Sequence, residues 1–251
     1  QDPNNTKLLE DKNPDRGYNS FWIDPGSKLA TVKGEIRTSW IVEPATGRIP
    51  YKPGARNAGG YSITNFDGPE TRPQAERCVL GFSGSFGPVM QNGMYNNTMD
   101  FVQTPGFVTI TVEMNHDARI IPIYASAEKA RAAHKPSVIQ PWLGDSVAWW
   151  EGDTLVSETR NVNPIQSSRT QTPLSPEGTV TERFTRIDEG ELLYQFTVED
   201  PKAYTAPWLA EYSYHASTTG MFPSPCHEHN YSLPNILLGK RMADLRGVKR
   251  D

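Results

Sequence analysis

Phe107-Val108-Thr109-Ile110-Thr111-Val112-Glu113-Met114 is the stretch on which the fold turns. Val108, Ile110, Val112 and Met114 share one parity, and Phe107, Thr109, Thr111 and Glu113 share the other. Successive side chains of an extended chain point to opposite faces, so this alternation specifies a strand buried on one side. The same grammar repeats outward. Met99 to Thr104 reads as a strand turned by Pro105-Gly106, and Arg119 to Tyr124 follows a tight turn at Asn115-His116-Asp117-Ala118. A three-residue loop, His116 to Ala118, would return Arg119 to the face of Glu113. Val147 to Trp150 and Thr154 to Glu158 flank Glu151-Gly152-Asp153, and Arg183 to Ile187 and Leu192 to Val198 flank Asp188-Glu189-Gly190. Both are hairpin signals. Ile36 to Val42, ending in the turn Glu43 to Gly47, and Trp208 to Tyr214 complete about nine or ten short, mostly antiparallel strands.

Helix is scarce. Ala125 to Ala133 is one short candidate. Ser232 is placed to N-cap a C-terminal helix, with Pro234 in its first turn and Leu237, Leu238, Met242 and Leu245 as apolar positions. The expected fold is all-β: a closed or nearly closed antiparallel barrel of calycin or lipocalin type, with a β-sandwich as the alternative. An extended N-terminal arm spans residues 1–35, anchored by Phe21 and Trp22, and a single barrel domain spans 36–251. Residues 50–75, rich in Pro and Gly, form a long irregular segment of the kind that often carries function.

Composition narrows the function classes. The 251 residues are 36% hydrophobic and 10% aromatic, and 20 Gly and 21 Pro are scattered, as many turns between short strands require. With 25 basic and 29 acidic residues the net charge is −4, and no Lys/Arg stripe stands out. Nucleic acid binding needs clustered cations and is not expected. No apolar run approaches the roughly 18 residues of a membrane span. The chain begins at Gln1 without a Met, which reads as a leader having been removed. Cys78 and Cys226 would form one long-range bridge in an oxidising compartment, or remain two buried thiols in a reducing one. The expected location is periplasmic or secreted.

Several ordered motifs run along the chain. Gln103-Thr104-Pro105-Gly106 is followed by Glu113-Met114-Asn115-His116-Asp117-Ala118-Arg119-Ile120-Ile121-Pro122. Then come Trp142-Leu143-Gly144-Asp145-Ser146, Trp150-Glu151-Gly152-Asp153-Thr154-Leu155-Val156, Glu182-Arg183-Phe184-Thr185-Arg186, Asp200-Pro201, Pro207-Trp208 and Cys226-His227-Glu228. As an ordered set, from about Ile36 to Gly239, they resemble a large group of uncharacterised exported bacterial proteins found in proteobacteria and acidobacteria. The resemblance implies an exported β-rich protein and carries no activity with it. Trp149, where relatives often have a basic or small residue, and His229 depart from the pattern.

Three groups of residues could carry chemistry. Glu113, His116, Asp117 and Arg119 would set an acid, an imidazole and a guanidinium at one sheet rim, enough for a base, an acid and an oxyanion clamp. The competing reading is a rim salt-bridge network in which Glu113 pairs with Arg119. His227, Glu228 and His229 follow Cys226; a bridge to Cys78 would hold His227 near Arg77 and could bring it towards His116. These residues include legitimate metal ligands, but their spacing matches no standard pattern and no metal or other cofactor is expected. Gly81-Phe82-Ser83-Gly84-Ser85 lacks the spacing of a nucleophile elbow and of nucleotide-binding loops. The third group is aromatic: Tyr95, with Asn96 and Asn97 at a pocket mouth, together with Trp149, Trp150 and Tyr231, are candidates to bind substrate.

The function expected is a cofactor-independent lyase or isomerase acting on a small, partly aromatic molecule in a barrel pocket. His116 would shuttle the proton, oriented by Asp117; Glu113 or Glu228 would be the second acid/base, and Arg77 or Arg119 would hold developing negative charge. A non-catalytic small-molecule binding protein is the rival, and a metal-dependent hydrolase the third reading. A homodimer is an open expectation. Titratable groups converging on a cavity would favour the enzyme; aromatic walls with His116 pointing outward would favour binding.

Overall fold

The computed structural model describes residues 29–55, 65–81, 87–93, 95–167, 172–218, 220–224, 226 and 231–247. Phe21 and Trp22 therefore lie outside the described residues, as does most of the expected arm. Its last part folds back on itself: β1 (Thr31–Val32) and β2 (Glu35–Ile36) make a small hairpin turned by Lys33 and Gly34, both at positive φ.

The remaining strands are β3 (Ile41–Glu43), β4 (Met99–Thr104), β5 (Phe107–Val112), β6 (Ala118–Pro122), β7 (Asp145–Glu151), β8 (Thr154–Arg160), β9 (Thr179–Asp188), β10 (Glu191–Glu199) and β11 (Trp208–His215). Among the described residues the α-helices are α1 (Ala127–Ala132) and α2 (Pro164–Ser167) between strands and α3 (Ser232–Leu245) after the last strand. The expected strand Ile36 to Val42 is broken in two, because residues 37–40 leave the extended ladder between β2 and β3.

The sheets are antiparallel but do not close. β7 to β11 form a meander of consecutive hairpins, with β3 added at the far edge in the order β3-β11-β10-β9-β8-β7. β4, β5 and β6 form a separate three-stranded sheet. The two approach at one side, where Ile123 makes a parallel bridge to Ala148 of β7. Among the described residues β4 and β3 do not pair with each other, so the expected closed barrel is not formed; an all-β, antiparallel fold is. Two sheets enclosing a core are compatible with the sandwich alternative. Closure requires the first and last strands to meet in register, and alternation within each strand says nothing about that.

The core lies between the sheets. In β10, Leu192, Tyr194, Phe196 and Val198 face inward, opposite Tyr214, Tyr212, Ala210 and Trp208 of β11. On β10's other side the matching inward row is Arg186, Phe184, Glu182 and Val180 of β9. Val108, Ile110 and Ile121 of the small sheet complete this cluster. The rings pack mostly tilted or edge-on, as with Phe196 and Trp208 at 5.6 Å and 81°, the arrangement that ring quadrupoles favour.

Two inward residues of this core are charged, Glu182 of β9 and Arg119 of β6. Arg119 is paired with Ile110 in the β5–β6 register and so points into the core. The expectation that it shares a face with Glu113 is corrected. The connection after β5 runs from Glu113 to Asp117 rather than over three residues, and Glu113 has left the strand with φ −60° and ψ −38°. Parity counted through a helical residue no longer holds. Arg119 instead pairs with Glu182.

The outer face of β7 and β8 buries a second cluster. Val147, Trp149 and Val156 pack beneath α1 through Ala130. Ser126 caps α1, its Oγ accepting from the Lys129 N–H at 3.3 Å, and the Arg131 guanidinium lies 5.0 Å from the centre of the Trp149 ring. Beside it His134 is held between Asp145 (Nδ1 to Oδ2, 2.8 Å) and Glu158 (Nε2 to Oε1, 3.4 Å). Glu158 also meets Arg131 at 2.8 Å and Arg160 at 2.6 Å. Burial pushes the Glu158 carboxyl up, but its bonds and proximity to Arg131 and Arg160 outweigh this and leave it below the usual glutamate value. A depressed folded-state pKa means stability that is present above the ordinary glutamate range and lost as pH falls through it. Glu158→Gln is therefore expected to cost about 1 kcal/mol at pH 7, both arginines being half-exposed. That gap to the wild type should close as pH falls from 5 towards 3, as urea titrations at each pH would read. A gap independent of pH would mean that the carboxylate's charge contributes nothing.

Elsewhere, Cys78 and Cys226 form the long-range disulfide, with Cα atoms 5.2 Å apart. In α3 the expected apolar stripe is not a buried one: Leu237 is buried, whereas Leu238, Met242 and Leu245 are exposed. Tyr231 takes the N-cap position and Ser232 is the first helical residue. No helix among the described residues is long and apolar enough to cross a membrane.

Candidate functional site

The loop entering β4 and the turn leaving β5 are tied together by one carboxylate. The Glu113 N–H donates to the Thr98 carbonyl at 2.9 Å. Its side chain folds back so that Oε2 accepts from the Thr98 N–H at 3.2 Å and Oε1 from the Phe222 N–H at 3.0 Å. Asn97 steadies the same loop from the other end, its Oδ1 accepting from the Gly93 N–H at 2.7 Å. Asn96 sits at φ 56°, a left-handed conformation that Asn tolerates better than most residues.

These elements wall a cavity of about 680 Å³, within the range that holds a drug-sized molecule. It opens between the β4 entry loop, the β9–β10 turn and the end of β11. Met99, Phe101, Leu192, Tyr214 and Phe222 supply its apolar surface. Phe101 lies 6.4 Å from Tyr214 and 5.7 Å from Phe184, so this wall continues into the core. Tyr95, Asn96 and Asn97 supply polar groups, Glu113, Glu189 and Glu191 carboxylates, and Arg186 and His215 the basic side chains. Burial pushes the Tyr214 phenol above its ordinary range, and its hydroxyl donates to the Met90 carbonyl at 3.5 Å. The Arg186 guanidinium donates to the carbonyls of Asp188 (3.3 Å) and Glu189 (2.8 Å) of its own turn.

Of the residues singled out from sequence, Glu113, Tyr95, Asn96 and Asn97 meet at this cavity. The others are placed elsewhere. His116 is exposed at φ 52° in the short 3-10 turn Met114–His116, and no side-chain contact joins it to the cavity. Asp117 does not orient it: Oδ2 accepts from the Gly81 N–H at 2.8 Å and Oδ1 from the Asn115 amide at 3.1 Å. Burial raises the Asp117 pKa against these bonds and the charge of His116. Arg119 is enclosed in the core. Arg77 is half-buried in the turn before Cys78, Trp149 is covered by α1, and Trp150 and Tyr231 are exposed away from the cavity. His227, Glu228 and His229 lie outside the described residues, so the expected convergence of His116 and His227 does too. Among the described residues no three His, Cys, Asp or Glu side chains are gathered so as to hold a metal ion.

Nothing in the sequence marks His215, Phe222 or the β9–β10 turn as site residues. Arg186 closes one of the quoted motifs and Tyr214 stands among many aromatics, but nothing local separates a ring lining a cavity from one filling a core.

No known protein family matches the chain, and no curated protein or solved structure does.

Proposed function

We propose that the protein binds a small, partly aromatic molecule in this cavity without transforming it. The observation that carries this reading is the wall itself: aromatic rings continuous with the core on one side and a polar mouth built from Tyr95 and Asn96 on the other. Such a surface buries a ring and orients a polar end. The outward placement of His116 supports binding over the proton shuttle expected from sequence. The Cys78–Cys226 bridge supports export to an oxidising compartment, since such bridges persist there.

An acid/base lyase or isomerase is the second reading. It is favoured by Glu113 and His215 lying in one cavity wall, which are groups able to move a proton.

Thermal shift against lignin-type aromatics, terpenoids, sterols and sugars, with every stabilising compound then recovered and analysed by mass spectrometry and chiral chromatography, separates the two. A ligand bound near a hundred times its Kd should add about 2.7 kcal/mol, a rise of about 5–10 °C in Tm. Recovery unchanged supports binding. A changed mass or isomer makes the protein an enzyme, with Glu113→Gln as the next variant. No stabilising compound in any class would count against the cavity as a ligand site.

A further inference from the structure

Glu113 is buried, with 4% of its surface exposed, yet it has no ion pair among the described residues and both of its hydrogen-bond donors are uncharged backbone amides. That is unusual for an interior carboxylate, which is normally matched by a cation or a metal. Arg119, the nearest cation in sequence on the same hairpin, is already committed to Glu182.

An ionised carboxylate offers about four acceptor positions. Two backbone amides fill one on each oxygen, and Glu113 lies in the cavity wall. Glu189 and Glu191 add two further carboxylates to the lining. The Arg186 guanidinium there turns two of its five N–H donors to carbonyls of its own turn, and the lining carries three carboxylates against one guanidinium and one imidazole. Tyr95, Phe101, Tyr214 and Phe222 present rings to the same space, and ring faces attract cations as carboxylates do.

We propose, building on the binding reading above, that the ligand is an aromatic amine whose protonated nitrogen is held by Glu113 and whose rings lie against Phe101, Tyr214 and Phe222. The ammonium supplies the countercharge that Glu113 lacks, and a charge-assisted hydrogen bond outweighs its neutral counterpart.

Three probes sharing one two-ring scaffold test this by calorimetry on the wild-type protein: 4-(benzyloxy)phenethylamine, the corresponding alcohol, and 4-(benzyloxy)phenylacetate. The amine is expected to bind at least about tenfold tighter than the alcohol, and the carboxylate more weakly than both. In Glu113→Gln the amine should fall to the alcohol's affinity while the alcohol's is unchanged. The wild-type ranking is decisive even if that variant does not fold. Alcohol or carboxylate binding as tightly as the amine overturns the proposal and leaves the cavity reading standing. So does a neutral ligand from the wider panel when none of the three binds. If neither set binds at all, both readings fall together.

Discussion

Arg119→Met is expected to lower the unfolding free energy by about 3–5 kcal/mol, the cost of leaving a buried charge without its partner. Glu182 has no solvent exposure. The Arg119 guanidinium grips it through both Nη atoms, Nη1 to Oε1 at 2.9 Å and Nη2 to Oε2. Nη2 also donates to Ser146 Oγ and Thr159 Oγ1, each at 3.2 Å. The Tyr194 hydroxyl donates to Glu182 Oε1 at 2.7 Å and accepts from the Met90 N–H at 3.0 Å. Burial works against a charged guanidinium, but the adjacent Glu182 charge and its hydrogen bonds hold Arg119 above its ordinary value. With the arginine gone, Glu182 keeps one hydroxyl donor in a site that water does not reach. Arg119→Met combined with Glu182→Leu should recover most of the loss, because two apolar side chains leave no orphaned charge. Urea unfolding followed by circular dichroism gives all three numbers. A single substitution costing under about 1 kcal/mol would mean that water reaches Glu182 and the pair is not enclosed.

The second large effect is expected on opening the disulfide. Cys78 and Cys226 are 148 residues apart. Confining a loop of that length removes entropy from the unfolded chain worth about 5 kcal/mol on the loop-closure account. For a domain of this size that corresponds to a fall in Tm of about 10–20 °C. Calorimetry with and without reductant, repeated on Cys78→Ser/Cys226→Ser, measures it. The reduced wild type and the double variant should melt together, well below the oxidised protein. Coincident melting of all three would show that the bridge does not constrain the unfolded ensemble.

The local elements were legible because each rests on neighbouring residues. The parity of Val108, Ile110 and Val112 carries β5, and the Gly152-Asp153 and Glu189-Gly190 turns carry the two hairpins β7–β8 and β9–β10. Parity fails as a guide where an irregular residue interrupts the strand. Glu113 continues the alternation of β5, but its helical backbone sends its carboxylate under Thr98 and Phe222 rather than towards Arg119. The quoted motifs also changed meaning. Arg119 and Glu182 belong to different motifs 63 positions apart and proved to be the two halves of one buried pair. Asp145 of another motif holds His134 in place. Residues that looked like chemistry in one dimension serve the core in three.

The sequence alone determined the strand-rich class, the hairpin turns and the helices α1 and α3, since parity, turn residues and helix periodicity are local properties. The tertiary structure decided that the sheets stay open, that Cys78 meets Cys226, that Arg119 meets Glu182, and that Tyr95, Asn96 and Glu113 face a common cavity while His116 turns outward. Each of these depends on contacts between segments far apart in the chain. Such contacts form where burying apolar surface and matching buried charge together outweigh the entropy of closing the intervening loop, and no single segment carries that balance.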